Sequence, residues 1–449
     1  MNDPSGFDDD PEPNPFGDMT EGLNQIFQMF GAGGPGGLGG LGGLGGAPNW
    51  EHARQAAGAM ASEGEPEANI DPLVRMQFEQ LARVAELQIA EATGMTLSRS
   101  GAGITISPVN RHQWAAATVD AYRPLFEKLA GSLGRMMTAQ LDELSGEDID
   151  EVNSMMPPGL GVDMGALMAN MSGFIGPIML ITMAGSTVGQ LGTRAFGSYD
   201  LPIPRPPSDE LLVVANAIDE FGEAWSLPLD DLRLYTCLHE MAHHAVLSLP
   251  HVRERLTELL TWHADGFEAD PAALEERLGP VDMSDPQAME RLQSSLASPE
   301  FMLNAIRSER QSQILPLIDT LVGCIEGYVD WVVDTVGTRL LRDYPRVSEA
   351  LRRRRVEASE ASRFVERLFG LELTQSKIDR GAEFVDGVFA RGGKEALAAL
   401  WSDVDHLPTP NELAAPGLWL ARIGLTDDDQ PLPELDEEPD IPDFPDLDT

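Results

Sequence analysis

Apolar residues recur every three to four positions along most of the chain, a period typical of amphipathic helices. This spacing predicts helices over 71–92, 112–143, 229–249, 308–341, 359–369 and 376–391. A further helix is predicted to begin at Ser208, in the stretch SDELLVVANAIDEF. Another helix start is predicted near 409, with Thr409 as the N-cap, Pro410 at N1 and Glu412 at N3. Strand patterns are few, and ITIS at 104–107 is the best of them. The predicted fold class is therefore mainly α with minor β.

Apart from residues 18–30, the two ends of the chain lack this periodicity. Residues 1–53 form an acidic, Gly-rich arm with eight acidic residues and no Lys or Arg, and 423–449 form an acidic, Pro-rich tail with eleven acidic residues and none. Such segments bury too little apolar surface to order themselves, so both are predicted to be disordered. The regions between them, 54–207 and 208–422, are predicted to form the folded body.

One segment of the arm has a helical pattern. Asp18 and Glu21 read as a variant capping box at the start of 18–30, whose apolar residues share one helical face: Leu23, Ile26, Phe27 and Phe30. Residues 31–46 contain eleven glycines and should behave as a flexible tether. The helix at 18–30 is interpreted either as a transient element or as a docking segment for a protein partner or for the chain's own groove. The acidic C-terminal tail offers a second partner-binding segment.

Charge and cysteine usage narrow the classes of protein. The formal net charge of −42 argues against nucleic-acid binding, which needs a basic patch. The run RRRR at 352–355 is interpreted as a solvated helix face, or as a contact for one of the acidic tails. Cys237 and Cys324 allow at most one disulfide and are interpreted as small buried residues, and MNDPSGFDDD has no features of a secretory signal. A cytoplasmic location is therefore expected.

A membrane span is considered for Met164 to Thr193, because these thirty residues carry no formal charge. Six glycines, Pro177 and several polar side chains lower its hydrophobicity, and no basic cluster flanks it. A buried pair of core helices is favoured, so membrane insertion is not expected.

The stretch CLHEMAHHAV at 237–246 contains an H-E-x-x-H motif. On a helix, His239 and His243 lie on one face and can reach one metal ion, while Glu240 flanks it. Zn²⁺ bound by two imidazoles and a third ligand keeps a position for water, and Glu240 would act as general base on that water. The alternative is a helix whose histidines are satisfied at the surface.

The third ligand is not fixed by the motif. Val246 and Leu249 exclude the extended H-E-x-x-H-x-x-G-x-x-H form. His244 points about 100° away from His243 and is interpreted as structural or as a support for a ligand. His251 and His263 stay open as ligands.

A stronger ligand candidate lies in the helix predicted over 308–341, where Glu326 and Asp330 are four residues apart in the apolar stretch GCIEGYVDWVVD. Burying two carboxylates is costly unless they meet a cation or hydrogen-bond donors. We expect Glu326 to be the third zinc ligand and Asp330 to orient His239 or His243. A pair of acids on a solvated face is the alternative. Tyr328 and His406 are the candidates for stabilising the oxyanion.

Together, the H-E-x-x-H and downstream E-x-x-x-D residues resemble the zincin metallopeptidases of the glutamate-ligand type. Four stretches carry a closer resemblance: HHAV, IEGYVDWVVD, LPTPNEL and the later PGLWLAR. With them, roughly residues 70–422 resemble a family of zincin-like hydrolases that is common in GC-rich Gram-positive bacteria. The separation of 83 residues between His243 and Glu326 is longer than in thermolysin-like enzymes. The resemblance implies a mainly α zincin-like body, with 54–207 as a helical N-terminal region and 208–422 as the catalytic region.

The function predicted from these residues is that of a zinc metallopeptidase with a peptide or protein substrate. Two other functions stay open. The chain could be a catalytically silent scaffold that keeps a structural metal, or a hydrolase of non-peptide amides, because the same activated water attacks any amide carbonyl.

Overall fold

The structure is a computed structural model that describes residues 49–143, 180–267, 308–357 and 360–425. Within these ranges it is mainly α-helical with one small sheet, as predicted. The helix predicted over 18–30 and nearly all of the acidic tail lie outside the described residues. The elements are α1 Trp50–Ala61, α2 Pro72–Thr93, β1 Thr105–Val109, α3 Arg111–Glu143, α4 180–192, β2 Glu210–Val214, α5 Ala215–Ala224, α6 Leu229–Leu247, α7 Pro250–Asp265, α8 Glu309–Leu340, α9 Tyr344–Val356, α10 Glu360–Leu368, α11 Gln375–Leu400, α12 Pro410–Ala414 and α13 Pro416–Arg422.

Several helix ends have recognisable capping residues, one of which the sequence predicts. The hydroxyl of Ser308 accepts from the backbone of Gln311 and the Gln311 side chain returns a bond to the backbone of Ser308, so a capping box starts α8. The same reciprocal bonds join Thr409 and Glu412 at the start of α12, as the sequence predicts. Gly94, with φ of 71°, ends α2 in the left-handed conformation that glycine adopts without steric cost.

The sheet has two parallel strands, with Thr105 opposite Glu210 and Val109 opposite Val214. The predicted strand at 104–107 is confirmed, one residue later at its start. The prediction of a helix from Ser208 is wrong in its first part, because 210–214 form β2 and the helix begins at Ala215. The branched side chains of ELLVV favour a strand once β1 supplies a ladder partner, and helical periodicity cannot reveal that distant partner. The sheet also joins the two predicted body regions.

Helix α1 begins at Trp50, inside the range assigned to the arm, and buries Trp50, Ala53 and Ala57. The described part of the uncharged segment, 180–192, is helical and packs closely on α1. A Cβ on Gly189 or Gly192 would overlap the side chain of Met60 or Ala61. No helix of the described residues is long and apolar enough to cross a membrane, and 164–179 lie outside them.

Helix α8 runs through the core and packs against α11 almost backbone to backbone. A Cβ on Gly381 of α11 would overlap the carbonyl of Gly323, and one on Gly327 would overlap the backbone of Gly381. Such a close approach is open only to glycine. Glu326 lies between the two α8 glycines. This contact therefore fixes the position of its side chain along and around the axis of α8, relative to α6.

Cys237 on α6 and Cys324 on α8 are buried and unpaired, as predicted from their positions. Burial raises the pKa of both thiols well above the ordinary value. Both therefore remain neutral packing residues.

We predict that Gly327→Ala destabilises the fold by about 1–3 kcal/mol, because the added methyl group forces α8 and α11 apart. Denaturant unfolding followed by circular dichroism measures this loss. Gly417→Ala in α13 is the control, since its Cβ would meet nothing within 4 Å and alanine favours helices. Equal stability of Gly327→Ala and the unmodified chain would contradict the described helix contact.

Candidate functional site

Helix α6 places His239 and Glu240 at the wall of one cleft, while His243, the third motif residue, is buried next to His239. The ring centroids of His239 and His243 are 4.4 Å apart, as their spacing of four residues predicts. His243 is fully buried, while the side chain of His239 keeps 22% of its surface exposed in the cleft. The ring of His243 is therefore enclosed by its neighbours, while the ring of His239 is partly open to solvent.

The hydrogen bonds of His243 define what its ring can bind. Its Nδ1 lies 3.1 Å from the carbonyl oxygen of His239, which can only accept, so Nδ1 carries a proton and donates. Its Nε2 lies 3.0 Å from Oε1 of Glu326 on α8. In the neutral imidazole, Nε2 is an acceptor facing another acceptor. A second proton or a metal cation is therefore needed between these two atoms.

Glu326 is buried, with 5% of its surface exposed. Burial alone would raise the pKa of Glu326, but the positive charge and hydrogen bond of His243, with the charges of Arg355 and His239, hold it below the ordinary value of 4.5. Burial likewise opposes protonation of His243, while the charge of Glu326 raises its pKa. The site thus favours an ionised carboxylate, the form that binds a metal.

Glu240 is held by the loop that precedes β2. Its Oε2 accepts from the backbone N–H of Tyr199 at 3.0 Å, and its Oε1 lies 3.9 Å from Nδ1 of His239. Gly197 makes room for this carboxylate, because a Cβ at 197 would overlap it. Gly197 is itself fixed, since its carbonyl accepts from the Trp114 indole at 2.7 Å and it bridges to Val213 of β2.

Tyr199 supports the histidines as well as Glu240. Its ring stacks on His243 with centroids 5.9 Å apart, and its hydroxyl lies 3.2 Å from Nδ1 of His244. His244 is buried and contacts Tyr199 but does not line the cleft, so its supporting role stays a prediction. Tyr199 and Gly197 could not be found from the sequence, because GSYD is no recognisable motif and its contacts with α6 span about forty residues.

Asp330 does not contact either histidine in the structure. Its two carboxylate oxygens accept from both terminal nitrogens of Arg355 on α9, each at 3.2 Å. The expectation that Asp330 orients a histidine is therefore corrected. Burial opposes the charge of Arg355, but the carboxylates of Asp330 and Glu326 outweigh it and raise the pKa of Arg355.

The run RRRR divides between the surface and the cleft. The side chains of Arg352 and Arg353 are 54% and 60% exposed, as a solvated face requires. Arg354 and Arg355 are only 20% and 23% exposed and line the cleft. The prediction of a wholly solvated face is wrong, because helical geometry turns half of the run toward the interior.

Neither residue predicted to stabilise an oxyanion lines the cleft. Tyr328 is buried between Trp331 and Trp401, with ring centroids 6.1 and 5.2 Å away, because it is turned about 200° from Glu326 on α8. His406 lies in the turn Val404–His406, where Nδ1 contacts the Ala399 carbonyl at 2.9 Å. Both expectations are corrected.

The two histidines left open as ligands also lie away from the cleft. His263 is buried next to Phe267, with ring centroids 5.4 Å apart, and His251 stands in the first turn of α7. Of the ligand candidates weighed from the sequence, only Glu326 joins His239 in lining the cleft and contacts His243.

The cleft has a volume of about 120 Å³ and is lined by residues from α4, the loop before β2, α6, α8, α9 and α10. Its polar wall is formed by Arg194, Asp200, His239, Glu240, Glu326, Arg354, Arg355 and Glu366. Acidic side chains and guanidinium groups thus line the same cleft as His239 and Glu240.

The donor set fits zinc in its chemistry. Two donor atoms bound to one tetrahedral zinc at about 2.0–2.1 Å lie about 3.3 Å apart, close to the 3.0 Å between His243 Nε2 and Glu326 Oε1. Among the described residues, no three or more His, Cys, Asp or Glu side chains already stand in the arrangement of a closed metal site. A metal held by all three side chains would require His239 to turn toward the pair, and its exposure in the cleft leaves room for this.

Comparisons with known proteins define the class. The model of a family described as zincin-like metallopeptidase matches residues 49–420, and the chain belongs to this family. A crystal structure from Chloroflexus aurantiacus, described as that of a candidate hydrolase with a novel fold, is 21% identical in sequence and has a TM-score of 0.55. The match covers 84% of this chain and 99% of that one, and it shows a shared fold. No curated protein matches the chain.

We predict that Gly197→Ala displaces the Glu240 carboxylate, because its methyl group would occupy the same space. The variant should lose at least about tenfold in any hydrolytic rate that depends on Glu240, while the bound metal stays unchanged. Turnover and metal content, measured on one preparation, check this. Gly131→Ala in α3 is the control, since its Cβ would approach only a flexible Arg135 side chain, at 3.7 Å. Full activity of Gly197→Ala would contradict the role assigned to this glycine.

Proposed function

We propose that this chain is a zinc-dependent metallopeptidase in which His239, His243 and Glu326 hold the ion and Glu240 is the general base. The observation that carries the proposal is the contact of His243 Nε2 with Glu326 Oε1 at 3.0 Å, where a cation resolves the opposition of two acceptors. Membership of the zincin-like metallopeptidase family supports the same function.

When bound, zinc polarises a carbonyl and lowers the pKa of water toward about 7. The protein's own residues provide the rest of the chemistry. Glu240, fixed through Oε2 by the N–H of Tyr199, presents Oε1 to the cleft, takes a proton from the attacking water and passes it to the leaving amine. Burial of Glu240 to 1% exposure keeps bulk water from competing for that proton.

Arg355 is the residue best placed to stabilise the developing oxyanion. It lines the cleft with His239 and Glu240, and Asp330 fixes its terminal nitrogens from α8, one helical turn beyond Glu326. A guanidinium has five N–H donors, so two bonds to Asp330 leave donors for a substrate oxygen. Arg355 thereby takes the role expected for Tyr328 or His406.

A peptide or protein is the proposed substrate class, and a cytoplasmic location accords with the two unpaired cysteines. The scaffold function is less well supported, because a purely structural metal site does not need a buried carboxylate held beside its ligands. Hydrolysis of a non-peptide amide would use the same residues, and a peptide screen separates these substrates.

We predict that Glu240→Gln lowers peptide hydrolysis by about 10²–10⁴-fold and leaves the zinc content unchanged, because the amide keeps the shape of the carboxylate and cannot accept the proton. Rates on a fluorogenic peptide library, with the metal content of the same samples, test this. Glu258→Gln, at an exposed position on α7, is the control for the loss of one charge. Unchanged hydrolysis by Glu240→Gln would contradict the general-base role.

A further inference from the structure

The cleft beside Glu240 contains a second group of residues that the proposed hydrolysis does not use. Arg194, which follows α4, and Arg354 of α9 cross each other, and each guanidinium donates to the other's backbone carbonyl, with Arg194 Nη2 at 2.6 Å from the Arg354 oxygen. These mutual bonds fix both cations at the cleft wall without neutralising either charge. The pair is called the arginine pair below.

The two members of the arginine pair differ in their carboxylate partners. Asp200 lies 3.3 Å from Arg354 Nη2. Arg194 forms no ion pair within 4.0 Å in the part of the chain that the structure describes, although Glu366 lines the same cleft, where burial raises its pKa and the charge of Arg194 opposes that shift. Among the described residues, only one of the two guanidiniums is therefore in direct contact with a carboxylate. Burial lowers the pKa of Arg354, and the charges of Arg194 and Arg355 lower it further against the effect of Asp200. An additional anion between the two cations would relieve this repulsion.

Arg354, the more closely held member of the arginine pair, is contacted from two further sides. The guanidinium carbon of Arg354 lies 3.7 Å from the centre of the Phe196 ring. Asp200, which pairs with Arg354, also accepts from the backbone N–H of Phe196 at 2.9 Å and of Gly197 at 3.3 Å. The loop that holds Glu240 therefore also holds Arg354, which links the position of the arginine pair to that of the reacting groups.

We propose that the arginine pair is a subsite for a substrate carboxylate next to the cleaved bond, so that the preferred substrates are peptides carrying a free carboxylate there. Its placement beside a scissile bond rests on the proposed function, while carboxylate binding itself does not. Guanidinium groups bind carboxylates in a planar geometry with charge-assisted hydrogen bonds, and the pair has unused N–H donors for this. The carboxylate is either the C-terminus of the peptide or an Asp or Glu side chain.

Four acetylated tetrapeptides test the proposal: tetra-alanine as its free acid, tetra-alanine as its amide, and the amide with Glu or with Gln at the third position. Their dissociation constants are measured by calorimetry on the zinc-free full chain, and on zinc-loaded Glu240→Gln to prevent turnover. At least one carboxylate peptide should bind about tenfold more tightly than its neutral counterpart. A difference between the free acid and the amide of tetra-alanine identifies a C-terminal carboxylate, and a difference between the Glu and Gln peptides identifies a side-chain carboxylate.

Arg194→Gln should abolish this preference in both forms and leave the zinc content unchanged, while Arg194→Lys should retain part of it. Arg353→Gln, an exposed neighbour on α9, is the matched control and should keep the full preference. Equal dissociation constants for the carboxylate and neutral peptides, measured on protein in which the arginine pair is unmodified, would overturn the proposal whether or not the variants fold. A preference that survives Arg194→Gln would overturn it as well.

The same measurements separate this inference from the proposed function. Carboxylate-selective binding by the zinc-free chain without any hydrolysis by the zinc-loaded chain would support the subsite and contradict the peptidase. Hydrolysis of the neutral and carboxylate peptides with equal kcat/KM would support the peptidase and overturn the subsite.

Discussion

The structure depends most on the burial of one carboxylate, that of Glu326. A buried carboxylate is costly unless its charge is compensated, and the protein places it 3.0 Å from the ring of His243. The other nitrogen of that ring already donates to a backbone carbonyl. The arrangement is therefore complete only with a cation or an additional proton between the two side chains. This requirement joins α6 to α8 and defines the site.

The rest of the core keeps Glu326 at this position. Glycines 323 and 327 on α8 let α11 approach closely, so α8 cannot slide or rotate without a backbone clash. One turn further along α8, Asp330 binds Arg355 and fixes α9 at the cleft. The packing of apolar helices and the placement of polar site residues are thus two aspects of the same helix contacts.

The loop before β2 adds the second half of the site. Its N–H group at Tyr199 holds Glu240, its glycine at 197 provides the necessary space, and its Asp200 pairs with Arg354. One short segment therefore positions both the proposed general base and the proposed carboxylate subsite. If both proposals hold, a shift of this loop would change catalysis and substrate recognition together.

Much of this site could be predicted from sequence because its spacing is local. The histidines four apart share a helix face, and two carboxylates in the apolar stretch of α8 indicate a buried partner. The partner of Asp330, the strand β2 and the support from Tyr199 could not be predicted, since each depends on contacts between residues far apart in the chain. The prediction of a solvated face for the run RRRR at 352–355 was wrong for the same reason. The sequence of the run does not show which of its side chains face the interior.

The most direct test of the central claim is the metal content of the full chain purified without added zinc, measured by mass spectrometry for the unmodified protein, His239→Ala and Glu326→Ala. The account predicts about one zinc per unmodified chain and its loss in both variants. Retention of zinc by Glu326→Ala would remove Glu326 from the ligands. Absence of zinc from the unmodified chain even after reconstitution would contradict the account as a whole.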